Sequence, residues 1–329
     1  MTKRVLVTGG AGFIGSHVCD LFLDRQWSVD VLDDLSNGKR QNVPAAARLV
    51  VADVRSAEAG RLVADGEYDA IVHLAAQMDV RHSVADPVFD ASINILGTLQ
   101  VLESVRRHAR GARPRIVFSS TGGAVYGDMG TPPTAEASAK EPDSPYGIAK
   151  LATEYYLAYY ARIHELNTVS VRFANVYGPR QDPHGEAGVV AIFCGRILAG
   201  QPLTIFGDGE QTRDYVHVAD VAEAVFAAAT GAPPQGTRVD ERAFNVGTGI
   251  GTSVRELAAT LLRAAGDAGA TLAIEFAPER RGEQRHSFLA IEQAHRVLGW
   301  APRVSLSDGL AETYSWFAAR AATAALSRT

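Results

Sequence analysis

The 329-residue chain is 47% hydrophobic and carries a formal charge of −5. That size supports one large domain or two joined ones with a real core, and the mild acidity argues against a polyanion-binding surface and so against nucleic acid as a partner. Only two cysteines occur, Cys19 and Cys194, both in helix-like apolar segments, so no disulfide framework and no metal site are expected. Met1 leads almost directly into a strand-like run, and no apolar stretch reaches membrane-spanning length; the expectation is a cytoplasmic protein without a membrane anchor.

Residues 4–8 form a short apolar run ending in glycines, the pattern of a buried parallel strand. A helical pattern follows over 13–26, and 28–32 reads as a second strand running into Asp33. Further strand-like runs fall at 48–51, 70–74, 115–119 and 168–173, with helical patterns between them, notably at 87–108 and 145–166. Strands alternating with helices predict an α/β fold with a doubly wound parallel sheet of the Rossmann kind. Such sheets bind ligands at the carboxyl ends of their strands. Beyond Gly178 the pattern loosens: 179–188 reads as a loop, Gly207-Asp208-Gly209 as a turn, 254–265 as a helix and 271–276 as a strand. The expected division places residues 1–176 and 213–248 in a dinucleotide-binding domain, with 177–212 and 249–329 in a smaller α/β cap.

Gly9-Gly10-Ala11-Gly12-Phe13-Ile14-Gly15 lies between the first strand and the first helix. Missing side chains let that turn close tightly and approach a pyrophosphate, which rests on the helix N-terminus. Asp33 stands 18 residues after Gly15, at the end of the second strand. A carboxylate there accepts from an adenosine ribose and repels a 2′-phosphate, which favours NAD over NADP. Asp53-Val54 suits an adenine pocket, and Leu74-Ala75-Ala76 are small enough for backbone to pass close to a dinucleotide.

Tyr146 precedes Lys150 by four residues in Ser144-Pro145-Tyr146-Gly147-Ile148-Ala149-Lys150. On a helix that spacing stacks the two side chains on one face, and Pro145 suits the first helical turn. A tyrosine with a pKa of about 10 is a poor base. A cation held close favours the phenolate, so the pair predicts a proton-transfer device with a lowered tyrosine pKa.

The glycine turn, Asp33, Leu74-Ala75-Ala76, Asn94, Ser119-Ser120-Thr121, Tyr146-x-x-x-Lys150 and Asn175 together resemble the extended short-chain dehydrogenase/reductases that act on nucleotide sugars, within them the UDP-hexose 4-epimerases. Arg213-Asp214-Tyr215-Val216-His217-Val218 and Asn245-Val246-Gly247-Thr248-Gly249 carry the resemblance into the second half. It implies that Tyr146 is the base, that Lys150 activates it and binds the nicotinamide ribose, and that Thr121 hydrogen-bonds the sugar hydroxyl. Three residues separate Thr121 from Val125-Tyr126-Gly127 where many relatives have two, and Ser120 is the alternative hydroxyl. The resemblance also implies NAD contacts from Gly9, Gly12, Phe13, Ile14, Gly15, Asn37, Gly38, Asp53, Val54, Asn94, Ser119 and Phe173. For a UDP-sugar it implies contacts from Asn175, Val189, Phe206, Arg213, Arg280 and Ser287, the arginines matching phosphate oxygens. Glu283 stands where the family's R-x-G-D motif has Asp.

Related dehydratases carry an Asp-Glu pair after the catalytic threonine; here Gly122-Gly123 can supply neither acid nor base, so the implied reaction is reversible oxidation of an alcohol and epimerisation at C4. Ser287, in a position that lines the hexose pocket, implies room for UDP-GlcNAc and UDP-GalNAc beside UDP-Glc and UDP-Gal. A UDP-glucuronate 4-epimerase or decarboxylase stays open, as does an NAD-sensing regulator without catalysis. The helices at 87–108 and 145–166 are expected to pair across a homodimer axis, as in this family.

Overall fold

A computed structural model describes residues 2–108, 113–129, 131–183, 188–279 and 284–326. In chain order the strands are β1 (Arg4–Thr8), β2 (Ser28–Asp33), β3 (Arg48–Val51), β4 (Ala70–His73), β5 (Arg115–Thr121), β6 (Thr168–Phe173), β7 (Asn175–Tyr177), β8 (Leu203–Phe206), β9 (Thr212–Arg213), β10 (Tyr215–His217), β11 (Ala243–Val246), β12 (Thr252–Ser253), β13 (Ile274–Ala277) and β14 (His286–Ser287). The helices are α1 (Phe13–Asp24), α2 (Ala57–Asp65), α3 (Val80–Ala85), α4 (Pro87–Ala91), α5 (Thr98–His108), α6 (Pro145–His164), α7 (Val189–Leu198), α8 (Val218–Thr230), α9 (Val254–Ala264), α10 (Asp267–Ala270), α11 (Glu292–Leu298) and α12 (Leu306–Leu326).

Seven strands form one parallel sheet in the order β11-β6-β5-β4-β1-β2-β3. The chain runs outward from β1 to β3, then crosses back to β4. The crevice at that reversal is where such sheets hold ligands. Both faces are apolar, as buried parallel strands require. Val5, Val7, Val31 and Val72 pack on one side with Phe22 of α1 and Val225 of α8. Leu6, Ile71, Ile116 and Phe118 pack on the other with Leu102 of α5 and Leu157 of α6. A separate core gathers Phe193 of α7, Leu261 of α9, and Leu310 and Phe317 of α12 around Tyr177. Small sheets accompany it: β7 with β10, β8 with β13, and β9 between β12 and β14. Among the described residues no helix is long and apolar enough to cross a membrane.

Two sequence expectations are corrected. The single helix expected over 87–108 is a continuous rod with a π-turn at Ser92–Gly97 between α4 and α5. The wider turn presents the Asn94 carbonyl to two hydroxyls, Thr98 Oγ1 at 2.8 Å and Thr153 Oγ1 of α6 at 3.1 Å, and π-turns of this kind are frequent at functional sites. The strand expected at 271–276 begins later, at Ile274, where it pairs with Leu203 of β8. Helix α6 starts as expected, with Ser144 accepting from the Gly147 amide and Pro145 in the first turn.

Arg172 of β6 is fully buried and forks onto Glu154 of α6, with Nε and Nη2 at 2.9 and 2.6 Å from its carboxylate oxygens. It also reaches the Tyr126 hydroxyl and the Glu136 carbonyl. Burial works against its charge, but Glu154 raises its pKa well above the ordinary guanidinium value. Removing one member of such a pair strands the other in a dry interior. Arg172→Ala should therefore cost about 3–5 kcal/mol in urea unfolding; a loss below about 1 kcal/mol would show that the pair is not a structural tie.

Candidate active site

The glycine turn sits at the end of β1. Gly9 has φ +71°, and a Cβ there would lie 2.7 Å from the Ala75 amide nitrogen; at Gly15 it would lie 2.1 Å from the Gly9 carbonyl oxygen. The two positions admit hydrogen only, which brings the turn against β4 and α1. Helix α1 opens at Phe13 and Ile14, its N-cap Gly12 has no side chain to cap with, and its first turn holds no acidic residue. That is a fit for a pyrophosphate. Asp33 is buried beside the turn, its oxygens accepting the Ala11 and Leu35 amides at 2.9 Å each. Burial raises its pKa while the two amides oppose the rise. Gly38 packs so close that a Cβ would stand 2.5 Å from Asp33 Oδ1, and Asn37 beside it is exposed. Asp53 is clamped by Arg55, which lowers its pKa, while Val54 is buried next to it.

A directional chain of hydrogen bonds runs beneath the crevice. The Ala75 amide donates to Thr8 Oγ1 at 3.1 Å, and Thr8 Oγ1 lies 2.7 Å from His73 Nδ1. His73 Nε2 lies 3.0 Å from Thr98 Oγ1, which donates to the Asn94 carbonyl. Each donor is used once if His73 is neutral with its proton on Nε2. Burial, with Lys150 nearby, lowers the His73 pKa to about 3, so it is neutral at physiological pH. Asn94 spends its side chain internally, accepting the Gln77 amide at 3.1 Å and donating to the Gln77 carbonyl and Asp90 at 2.9 Å each.

Tyr146 and Lys150 occupy the first two turns of α6. Lys150 is 2% exposed, and its ammonium donates to the Ser119 carbonyl at 2.9 Å, lies 4.7 Å from the Phe118 ring centre and 5.7 Å from that of Tyr146. Burial lowers its pKa to about 8, against Asp90 and Glu154, which raise it. The expected lowering of the Tyr146 pKa is overturned in this structure. Burial pushes the phenol above its ordinary value and Asp90 adds to the rise. Burial is the larger cause, and the Lys150 ammonium spends a hydrogen bond on the Ser119 carbonyl.

Thr121 ends β5 half-buried, opposite Phe173 of β6. Ser120, on the other side of the strand by alternation, is 3% exposed with a hydroxyl that has no partner. Ser119 faces as Thr121 does and donates to the His73 carbonyl at 3.2 Å. Leu74 and Ala75 bond back to Thr8, with Ala76 half-buried after them. On the cap side, Ser287 of β14 pairs with Arg213 of β9, so these two candidates stand side by side. Asp214 fastens them: it is 1% exposed and accepts the Thr248, Gly249 and Leu289 amides. Asn175 begins β7 exposed, Val189 opens α7, and Phe206 ends β8 half-buried. Arg280 and Glu283 lie outside the described residues.

Sequence reading passed over His73, Gln77, Asp90 and Asp214. Asp90 and Asn94 show the i, i+4 spacing that would have flagged one helix face, and Asp214 sits inside a quoted motif. His73 gave no signal, since a histidine ending an apolar strand reads as core.

A model of the NAD dependent epimerase/dehydratase family matches residues 5–247. A UDP-glucose 4-epimerase of Mycolicibacterium smegmatis is 46% identical over 319 residues, 95% of this chain and 98% of its own length. The crystal structure of a Thermotoga maritima UDP-glucose 4-epimerase with UDP-glucose superposes with a TM-score of 0.90 at 42% identity, covering 97% of this chain and 99% of the other. A Thermus thermophilus UDP-glucose 4-epimerase complex with NAD gives 0.84 at 42% identity, covering 96% and 99%.

His73 generates a stability prediction. Its folded pKa of about 3 is depressed below the ordinary 6.5, so the unfolded chain binds the extra proton. The stability contributed is complete above pH 6.5 and is lost as pH falls towards 3, approaching about 1.4 kcal/mol per pH unit. In His73→Asn the unfolding free energy should fall less steeply over that window than in the parent protein. Parallel curves would mean that His73 does not titrate on unfolding.

Proposed function

Because the chain belongs to the NAD dependent epimerase/dehydratase family, we infer that it catalyses NAD-dependent 4-epimerisation of a UDP-hexose, interconverting UDP-glucose and UDP-galactose through a transient 4-keto sugar. The observation that carries this reading is the meeting of Tyr146 and Lys150 with the Ser119-Ser120-Thr121 strand end, beside a glycine turn where two side chains are sterically excluded. Gly122 and Gly123 follow with no acid or base, which suits alcohol chemistry and not loss of water.

NAD, when bound, supplies the acceptor and donor of hydride. Gly9, Gly12, Phe13, Ile14 and Gly15 hold its pyrophosphate, Asp33 its adenosine ribose, Asp53 and Val54 its adenine, and Lys150 its nicotinamide ribose. Asn37, Gly38, Leu74, Ala75, Ala76, Ser119 and Phe173 complete the cleft, and Asn94 supports it from beneath. Tyr146 takes the proton of the sugar's 4-hydroxyl and, once the 4-keto sugar has turned its other face to the site, returns a proton to the same oxygen, while Thr121 orients that hydroxyl. A neutral Tyr146 is ready to return a proton; removing one needs positive charge, and Lys150 is the ammonium within reach. Asn175, Arg213 and Arg280 take the diphosphate, Val189 and Phe206 the uridine, and Ser287 lines the hexose pocket.

The two cores favour a dinucleotide domain (1–176, 213–248) and a cap (177–212, 249–329), with Ala294 and Trp300 packing into the sheet core and Tyr215 into the cap core as exceptions. Homodimerisation is supported by the apolar outer faces of the 87–108 rod and α6, where Val88 is 79%, Tyr155 60% and Leu96 59% exposed. A cytoplasmic location is part of this reading, in keeping with the absence of a membrane-spanning helix among the described residues.

Incubation with UDP-glucose and no added cofactor, followed by NMR, should show UDP-galactose. Tyr146→Phe should lower kcat by about 10²–10⁴-fold while retaining NAD; an active Tyr146→Phe enzyme would refute the assignment. Thr121→Val should lose activity and Ser120→Ala keep most of it, the reverse making Ser120 the catalytic hydroxyl. UDP-GlcNAc should also turn over, and Ser287→Tyr should abolish that reaction while sparing UDP-glucose; equal loss of both would remove Ser287 from the pocket.

A further inference from the structure

Tyr146 stands in the first turn of α6, where backbone donors have no partner inside the helix. Pro145 has no N–H to place. The Gly147 amide goes to the Ser144 hydroxyl at 3.2 Å, and the Ile148 amide to the Ser144 carbonyl at 2.9 Å. The Tyr146 amide is the donor that this cap leaves over. It goes to Ser83 Oγ of α3 at 3.2 Å, from 63 positions earlier in the chain. Ser83 is fully buried and donates its own hydrogen to the Val80 carbonyl at 2.7 Å, so its oxygen faces the Tyr146 amide purely as an acceptor.

That turn is gripped by two other parts of the chain. Gly147 packs so close to the loop after Thr121 that a Cβ would stand 2.8 Å from the Ala124 carbonyl oxygen. Helix α3, which carries Ser83, is in turn fastened to the wall of the proposed cofactor cleft. Asp79 accepts the His82 amide at 2.8 Å, and its own amide donates to Gln77 Oε1 at 2.6 Å. The Gln77 amide donates to Asn94 Oδ1 at 3.1 Å, and Gln77 directly follows Leu74-Ala75-Ala76. A path of hydrogen bonds and short chain segments thus leads from the cleft to the Ser83 hydroxyl and ends on the backbone of Tyr146.

We propose that Ser83 is a positioning residue for proton transfer: its hydroxyl fixes the first turn of α6, and with it the Tyr146 phenol, relative to the loop that lines the cofactor cleft. This rests on the role given to Tyr146 above and extends it to a residue outside that site. The phenolic oxygen lies at the far end of a long side chain, so a small tilt of the turn moves it further than the backbone. Proton transfer tolerates little of this, since a misplacement of about 1 Å costs on the order of 10²-fold in rate. Without Ser83 Oγ the Tyr146 amide has lost its acceptor, and the turn shifts to find another.

Ser83→Ala tests it on the NAD-bound enzyme, because it removes the acceptor and leaves the Ser144 cap in place. With UDP-glucose, kcat should fall by about 10–100-fold, while KM and the NAD content of the purified enzyme hold. An unchanged kcat, or a raised KM or lost NAD in place of the fall, would overturn the proposal. A residue that only packs lowers the urea midpoint without changing the rate per folded molecule. In ¹⁵N-tyrosine-labelled protein the Tyr146 amide resonance, assigned through Tyr146→Phe, should move and exchange faster with solvent in Ser83→Ala; an unmoved resonance overturns the proposal. Should Ser83→Ala fail to fold, Ser83→Cys takes its place, with sulfur a far weaker acceptor. Ser83→Thr keeps the hydroxyl, and its kcat should follow its Tyr146 amide. A parent-like resonance in an enzyme as slow as Ser83→Ala would also overturn the proposal. Tyr146→Phe separates the failures. An inactive Tyr146→Phe beside a fully active Ser83→Ala sinks only the role of Ser83, whereas an active Tyr146→Phe sinks the reading beneath it.

Discussion

An ammonium inside a protein must be given partners or it gives up its proton, and much of the structure around Lys150 answers that demand. Burial alone draws its pKa towards neutrality, and carboxylates on α4 and α6 pull it back. The Ser119 carbonyl takes one of its hydrogens and the Phe118 ring lies beneath it. Both contacts join α6 to the C-terminal half of β5. The parallel sheet supplies the strand end, and the Ser144 cap with Pro145 sets where the helix begins.

The same economy runs through the polar interior. Glu154 could have served Lys150 alone, yet Arg172 holds it with two hydrogen bonds and ties α6 to β6. The Asn94 carbonyl in the π-turn of the 87–108 rod accepts from the Thr98 hydroxyl and lies within reach of that of Thr153, which also faces the Ala149 carbonyl. From there the chain through His73 and Thr8 ends at the Ala75 amide, against which Gly9 packs. The floor of the crevice is thus a set of directed bonds with little freedom to rearrange.

Much of this was legible in the sequence because the signals are local. Strand-helix alternation, the glycine turn, the Tyr146/Lys150 spacing and the Pro145 start each need only a few neighbouring residues to be read. The rest depends on groups far apart in the chain. His73 bonds Thr8 across 65 positions, and Asp214 bonds Leu289 across 75. The tyrosine pKa was misread for a similar reason: spacing brings Lys150 near, but only the fold shows that Tyr146 is desolvated and that the ammonium donates to Ser119. The π-turn was invisible because residues 87–108 satisfy a plain helical pattern throughout.

The register that sets Ser287 opposite Arg213, locked by Asp214, has an evolutionary corollary. In the site proposed above, a lineage that widens or narrows the sugar cavity by replacing Ser287 does so directly beside Arg213 on the paired strand. Changes of diet for such an enzyme would come in correlated steps, with drift at one position selecting repair at its neighbour.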